Sequence, residues 1–255
     1  MKTFLLFLIP LFLPLHLLKA QDTTSTKCPD WGFQGGVGSI FTNFDDLNKI
    51  LRDNHIAPFD ESTFFWSVSL KRNHAGAGKI LDTYLGFRRM QGLMETSFGY
   101  NPAKAIYTNR TLRSSGLVSG YDFFVVNKEH FRLFPSFDLE FNRTVLKIYE
   151  DVPGGISLPN SINSNLRTKK YTTWKLMPGI GLHAEYRIPT FSYYTIIGLS
   201  AGYNFDFNSD WNYEDDLPIA FPGFKWSGFQ IAFSAGMEID CQRLQRYIEK
   251  HEKEK

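Results

Sequence analysis

Between Trp226 and Asp240 the sequence reads WSGFQIAFSAGMEID, an alternation that few folds can accept. Phe229, Ile231, Phe233, Ala235, Met237 and Ile239 fall on one side of an extended chain, and Gln230, Ala232, Ser234, Gly236 and Glu238 on the other. A helix would scatter both sets around its circumference, so the period of two marks a strand with one apolar face. The opposite face carries Gln and Glu among small residues. That composition suits a narrow wet interior better than an open sheet surface. The stretch is expected to be the closing strand of a barrel whose apolar exterior meets lipid.

The same alternation recurs along the chain, and strands are expected over 31–41, 63–71, 80–89, 118–126, 131–149, 174–187, 193–206 and 226–240. The connections between them run long (42–62), short (72–79), long (91–117), short (127–130), long (150–171), short (188–192) and long (208–224). An even number of strands with that rhythm puts every long loop at one end. The fold class is therefore all-β: an eight-stranded antiparallel up-and-down transmembrane β-barrel with four long outer loops and three short periplasmic turns. Both ends of the barrel then lie in the periplasm, and strands of about 9–11 residues suffice for a tilted span.

Local signals refine this frame. Phe44, Leu47, Ile50 and Leu51 recur at helical spacing in the first long loop, with Asn43 or Asp45 placed to cap a short helix. In the fifth strand the apolar residues are odd-numbered up to Phe141, but Thr144, Leu146 and Ile148 continue as an even-numbered set. A bulge or a protruding hairpin arm would produce that change of phase. Trp66, Trp174 and Trp226 stand at the outer ends of their strands, and Trp31, Tyr186 and Tyr193 at the periplasmic ends. Two aromatic belts are what the interfaces of a bilayer select. Trp226 shares its parity with Gln230, so either a bulge near Gly228 turns it outward or its indole points in.

The opening MKTFLLFLIPLFLPLHLLKAQ has a basic start, an apolar core broken by Pro10 and Pro14, and a small Ala20 before Gln21. It reads as a signal peptide over 1–20, followed by a polar leader over 21–30, the barrel over 31–240 and a charged periplasmic tail over 241–255. Without Lys2 and Lys19 the basic residues number 26 and equal the 26 acidic ones, so charge gives no case for nucleic acid. Aromatics are plentiful, with 24 Phe, 12 Tyr and 5 Trp, and beyond the opening no apolar run is long enough to cross a bilayer as a helix.

Alternation by itself does not separate a membrane barrel from a soluble lipocalin-like barrel with an apolar ligand cavity. The second face decides in favour of the membrane. It carries Lys71, Asp82, Arg88, Asp122, Asp138, Glu140, Lys175, His183, Glu185, Arg187, Asp206 and Glu238 among many Gly and Ser. These twelve are expected to form a lumen charge network that fills the bore, since buried charges left unpaired are costly.

The stretches WKLMPGIGLHAEYRI and YTIIGLSAGYNFDF within residues 31–240 resemble the OmpA/OmpX-type eight-stranded barrels. They resemble more closely the porin-family β-barrels of Bacteroidota, including PorT-like barrels. The resemblance implies a fold and a compartment, the outer membrane of a Gram-negative bacterium, with lipid and lipopolysaccharide as surroundings. It does not imply an activity. One departure is that such barrels often end on an aromatic residue, whereas here Ile239 ends the strand and a tail follows.

Cys28 precedes the first strand and Cys241 follows the last, so in a closed barrel both fall at the periplasmic rim of one seam. In an oxidising compartment a Cys28–Cys241 disulfide is expected there. His183 and Glu185 are the one His–carboxylate pair within a strand, and Ser200 or Ser234 on neighbouring strands would have to approach to make a hydrolytic site. Asp53, His55 and Asp60 in the first loop and Asp210, Glu214, Asp215 and Asp216 in the fourth match no calcium-loop spacing. No catalytic set, metal site or cofactor site is assigned. The expected role is non-enzymatic, with a protein partner at the outer loops or the periplasmic tail and a secretion or assembly role among the options. A lipid A-modifying barrel enzyme and a narrow channel are the alternatives.

Overall fold

The computed structural model describes residues 30–73, 81–92, 99–101, 106–151, 168–190, 193–207, 210–213, 217–219, 225–239 and 244. In chain order they form β1 (Asp30–Thr42), the helix α1 (Asp45–Asp53), β2 (Ser62–Asn73), β3 (Leu81–Gly92), β4 (Gly99–Asn101), β5 (Ile106–Phe123), β6 (Val126–Asn127), β7 (Phe131–Asp151), β8 (Thr168–Pro189), β9 (Tyr193–Asn204), β10 (Trp211–Tyr213), β11 (Leu217–Ile219) and β12 (Gly228–Ile239).

Eight of these strands close on themselves in the order β1–β2–β3–β5–β7–β8–β9–β12, every pair antiparallel. The seam is β12 against β1, with Trp31 opposite Ile239 at one end and Phe41 opposite Phe229 near the other. The stretch that most constrained the sequence is therefore the closing strand. The remaining strands are short additions: β4 on β5, β6 on β7, and β10 between β8 and β11.

Strand lengths divide the barrel in two. β2, β3, β9 and β12 have 12 residues and β1 has 13, whereas β5, β7 and β8 have 18, 21 and 22. The longer strands all extend at the end that carries the long connections, by roughly 20 Å at the usual rise and tilt. This corrects the expected strands over 118–126 and 174–187, which begin earlier at Ile106 and Thr168. Much of 106–117 is polar on both faces, so its alternation is weak in sequence.

The change of phase in the fifth strand has a different cause from the bulge expected there. Residues 131–149 of β7 pair one-to-one with β8, and β5 matches β7 one-to-one from Tyr107 to Asp122. The even-numbered side chains point inward throughout. What changes is their chemistry. Below Asn142 the inward set includes Arg132, Ser136, Asp138 and Glu140; above it Leu146 is fully buried and Ile148 packs beside it. Outward, Phe137, Leu139 and Phe141 give way to Arg143, Val145 and Lys147. The outward face changes from apolar to partly charged along an unbroken strand.

Residues 42–61 fold down into that upper half. Phe44, Leu47 and Leu51 from α1 and its approach, with Ile56 and Phe59, meet Ile40, Phe65, Met90, Leu112, Leu146, Met177, Trp211 and Trp226 in one buried apolar cluster. Asn43 accepts a hydrogen bond from the Asp45 amide at 2.7 Å, but neither Asn43 nor Asp45 is the cap expected: Phe44 holds the N-cap position, and no side chain caps the helix there. The helix ends in a Schellman arrangement: the Ile56 amide donates to Leu51 at 2.8 Å and the His55 amide to Arg52 at 2.9 Å, with His55 in the left-handed region at φ 58°. Trp226 lies inside this cluster and is removed from the outer belt, so the inward indole is the correct alternative.

Pro178 costs the sheet little. Its carbonyl accepts from the Phe205 amide at 2.8 Å just beyond the end of β9, so its missing N–H faces the place where that ladder stops.

Candidate functional site: the filled bore and its outer cap

All twelve residues expected in the lumen lie on inward positions of the strands or, for Asp206, just after β9. Ten are buried, and Lys71 and His183 are the more open members. Their arrangement is layered. At the end that carries the short turns Glu238 from β12 receives Arg132 from β7 through both oxygens, at 2.7 and 3.1 Å, and Arg187 from β8 at 2.7 Å. Each guanidinium also lies over a ring, Arg132 over Phe124 at 5.1 Å and Arg187 over Tyr194 at 3.7 Å. A carboxylate that takes up two arginines in this way neutralises charge where water is scarce.

One layer higher, Lys71 from β2 sits between Asp122 at 3.1 Å and Glu185 at 2.9 Å. Gln34 reaches Glu185 at 3.1 Å and Ser234 at 2.8 Å, so β1, β2, β5, β8 and β12 are joined across the bore. Tyr84 donates its hydroxyl to Asp138. Above them Arg88 bonds Glu140 at 3.1 Å and Gln230 at 3.3 Å and lies 5.1 Å from the Phe65 ring. At the top Lys175 pairs with Asp206 at 2.5 Å, and the Trp226 amide donates to the same carboxylate at 2.6 Å.

Glycine makes this filling possible. A Cβ at Gly120 would stand 2.6 Å from the Tyr84 hydroxyl, and one at Gly38 would stand 2.8 Å from the tip of the Phe65 ring. Small inward residues thus leave room for large polar or aromatic ones from the facing strands. A cavity of about 80 Å³ remains between Lys71, Tyr84, Arg88, His183 and Gln230, room for a few water molecules.

Above the top ion pair the bore becomes dry. The Trp226 indole donates to Thr144 at 2.9 Å and meets Phe44 edge-on at 6.0 Å. The loop beneath the helix is tied down: Asn48 donates to the Phe59 carbonyl at 2.8 Å and accepts from the Phe59 amide at 2.6 Å. Arg110, fully buried, donates to the Pro58 carbonyl and lies 4.4 Å from the Phe59 ring. Burial pulls this guanidinium below its ordinary value and Asp60 opposes that pull. Burial also raises the nearby Tyr171 phenol.

The sequence reading missed Arg132, Arg110, Gln34 and Tyr84 as members of the site. Arg132 has the parity of Ser136 and Asp138, which is the signal that identifies it. His183 does meet a serine, but it is Ser136 at 2.9 Å and not Ser200 or Ser234, and its ring stacks on Phe134 at 5.1 Å. Among the described residues no group of His, Cys, Asp and Glu stands together as a metal site. Cys28 and Cys241, the opening segment 1–20, the leader up to residue 29, nearly all of the tail and Glu214, Asp215 and Asp216 lie outside the described residues.

The chain thus folds as a closed eight-stranded antiparallel β-barrel, apolar outside along its shorter half and charged within. Solved structures of similar shape include Ail, the attachment invasion locus protein of Yersinia pestis, in complex with the heparin analogue sucrose octasulfate (11% identity, 84% of this chain and 100% of that one, TM-score 0.43). A major outer membrane protein from Thermus thermophilus is similar at 11% identity, over 84% of this chain and 99% of that one, with TM-score 0.43. The outer membrane protease OmpT from Escherichia coli is similar at 8% identity, over 86% of this chain and 99% of that one, with TM-score 0.36. No protein-family model matches the sequence, and no curated protein does.

Proposed function

We propose that this chain is a non-enzymatic, non-conducting barrel of a Gram-negative outer membrane that holds a rigid binding platform above the lipid. The observation behind this reading is the pairing of a filled bore with a dry outer cap: solute would have to displace both the Lys175–Asp206 pair and the Trp226–Phe44 core. The 18–22-residue strands β5, β7 and β8 carry the sheet beyond the membrane and give a partner a stiff surface to read. A protein partner at this end, or at the charged tail over 241–255, fits a structural, secretion or assembly role. Planar-bilayer recording of the reconstituted chain tests the first half of the proposal. No step conductance is expected, and defined single-channel steps would overturn it.

A hydrolytic second reading has one observation in its favour, the 2.9 Å contact of Ser136 with His183. His183 lines the small bore cavity and Ser136 is buried beside it, both on inward positions, so an acyl chain on the outer face has no route to them. Mass spectra of lipid A from cells with and without the chain decide between the two: identical spectra are expected, and a lost acyl chain or phosphate would favour the enzyme.

Processing after Ala20 and a Cys28–Cys241 disulfide belong to the same proposal. The end of the β1–β12 seam supports the disulfide, since Cys28 and Cys241 lie three and two residues beyond the Trp31–Ile239 pair. Thiol titration of unfolded, unreduced protein is expected to find no free thiol, and two would contradict the bridge.

A further inference from the structure

Most of the charge in the bore is matched side chain to side chain. Arg132 and Arg187 share Glu238, Asp122 and Glu185 share Lys71, Arg88 takes Glu140 and Lys175 takes Asp206. Asp138 of β7 stands outside these pairs. It is 5 % exposed, and its one hydrogen bond among the described residues comes from the neutral Tyr84 hydroxyl. The next inward residue along its strand is a second carboxylate, Glu140. A carboxylate held away from water with no cation beside it is costly, so this position calls for a positive partner.

Asp138 lines the cavity of about 80 Å³ that lies between the Lys71 and Arg88 layers. Asp122 lines it too. That carboxylate is 1 % exposed, gives one oxygen to Lys71 at 3.1 Å, and has no protein partner for its Oδ1. The layer below sets two carboxylates against the one ammonium of Lys71, and above it Arg88 is met by Glu140. The space between therefore sits in a negative potential, although cations line its floor and roof.

The rest of the wall supplies uncharged oxygens: the hydroxyls of Ser67 and Ser69 from β2, Ser200 from β9 and Ser234 from β12. Gln34 from β1 uses its amide nitrogen on Glu185 and Ser234, which leaves its carbonyl oxygen to the cavity. A lone carboxylate among hydroxyl and amide oxygens is too little charge for calcium, which takes several carboxylates, and it holds no nitrogen or sulfur set for a transition metal.

We propose that this cavity binds one alkali-metal cation against the Asp138 carboxylate, with the serine hydroxyls and the Gln34 carbonyl completing its oxygen shell. The volume admits the ion with part of its water, and a water beside it satisfies the Arg88 Nε, a buried donor that has no protein partner. The ion neutralises the middle of the bore and ties β7 to β1, β2, β9 and β12. This goes beyond the platform reading, which needs only that the bore be filled.

The test refolds the full chain into phosphatidylcholine vesicles and unfolds it in urea in sodium, potassium or N-methylglucamine chloride at equal ionic strength, read by the heat-modifiable gel band. An alkali cation at about ten times its dissociation constant should raise the folded-to-unfolded ratio about tenfold over N-methylglucamine, seen as a higher urea midpoint. Asp138→Asn keeps the shape of the side chain and should erase the difference between salts, while Asp46→Asn, on the exposed face of α1, should keep it. Crystals of the wild type soaked in thallium(I) give a readout that needs no variant, with an anomalous peak expected beside Asp138. Equal midpoints in all three salts for a wild type that is still heat-modifiable would overturn the site and leave the barrel reading standing. A salt difference that survives in Asp138→Asn, or a thallium peak only at the protein surface, would also overturn it.

Discussion

The lower half of β7 and its upper half obey opposite rules. Below Asn142 the strand turns Phe137, Leu139 and Phe141 outward and Asp138 and Glu140 inward; above it Leu146 and Ile148 are inside and Lys147 is outside. Register and side-chain direction are unchanged between the two. The difference teaches that the surrounding medium sets the polarity of each face. In lipid the barrel can be apolar outside and must satisfy its charges within. In water the same strands need a dry core, and α1 with its flanking residues supplies one.

The largest effect that would break this comparison is in the lower half. Glu238→Ala leaves Arg132 and Arg187 in the bore without their shared carboxylate and is expected to cost about 3–5 kcal/mol. Urea unfolding of the protein in vesicles, followed by the heat-modifiable gel band, measures it, and a loss under about 1 kcal/mol would mean that the network is not tightly organised.

Two leucines on β5 give the next contrast. Leu112 is 1 % exposed in the upper core and Leu117 is 58 % exposed on the lipid face. Leu112→Ala should cost about 2–5 kcal/mol through the cavity it leaves, and Leu117→Ala under about 1 kcal/mol. Equal losses would place both halves under one rule. A charge makes the converse comparison. Leu199→Arg, at the middle of β9 on the lipid side, should cost about 2–4 kcal/mol. Val145→Glu, on the outer face of the extension and directly opposite Arg113, should stay within about 0.5 kcal/mol.

The smallest effect concerns the helix end. His55 holds φ 58°, where glycine is at ease, so His55→Gly should stabilise the cap by up to about 1 kcal/mol, read as a higher urea midpoint. A drop would show that the imidazole has a role of its own.

The lower half was legible in the sequence because lipid and bore act on alternate residues of every strand. Parity alone placed Asp138, Glu185 and Glu238 in the lumen. Arg132 went unnoticed although its parity is the same, because it sits one residue from the turn and a strand end carries too few residues to show a period. The upper half was legible only in pieces. The helical spacing of Phe44, Leu47 and Leu51 was visible, but its partners Leu112, Leu146, Met177 and Trp226 lie far along the chain, and only closure of the barrel brings them together. The change in face chemistry at Asn142 looked like a slip in register because periodicity records which residues are apolar and not which solvent they face. For the same reason the polar outer face of 106–117 hid a strand.

Spin labels placed one at a time at 137, 139, 141, 143, 145, 147 and 149, and at the inward positions 144 and 146, test that central claim most directly. Accessibility to oxygen and to a water-soluble nickel chelate should favour oxygen at 137–141 and reverse to the chelate at 145–149, with 144 and 146 closed to both. Access at 144 and 146 with protection at 145 and 147 would mean that the strand slips after all, and the account of two media along one register would be wrong.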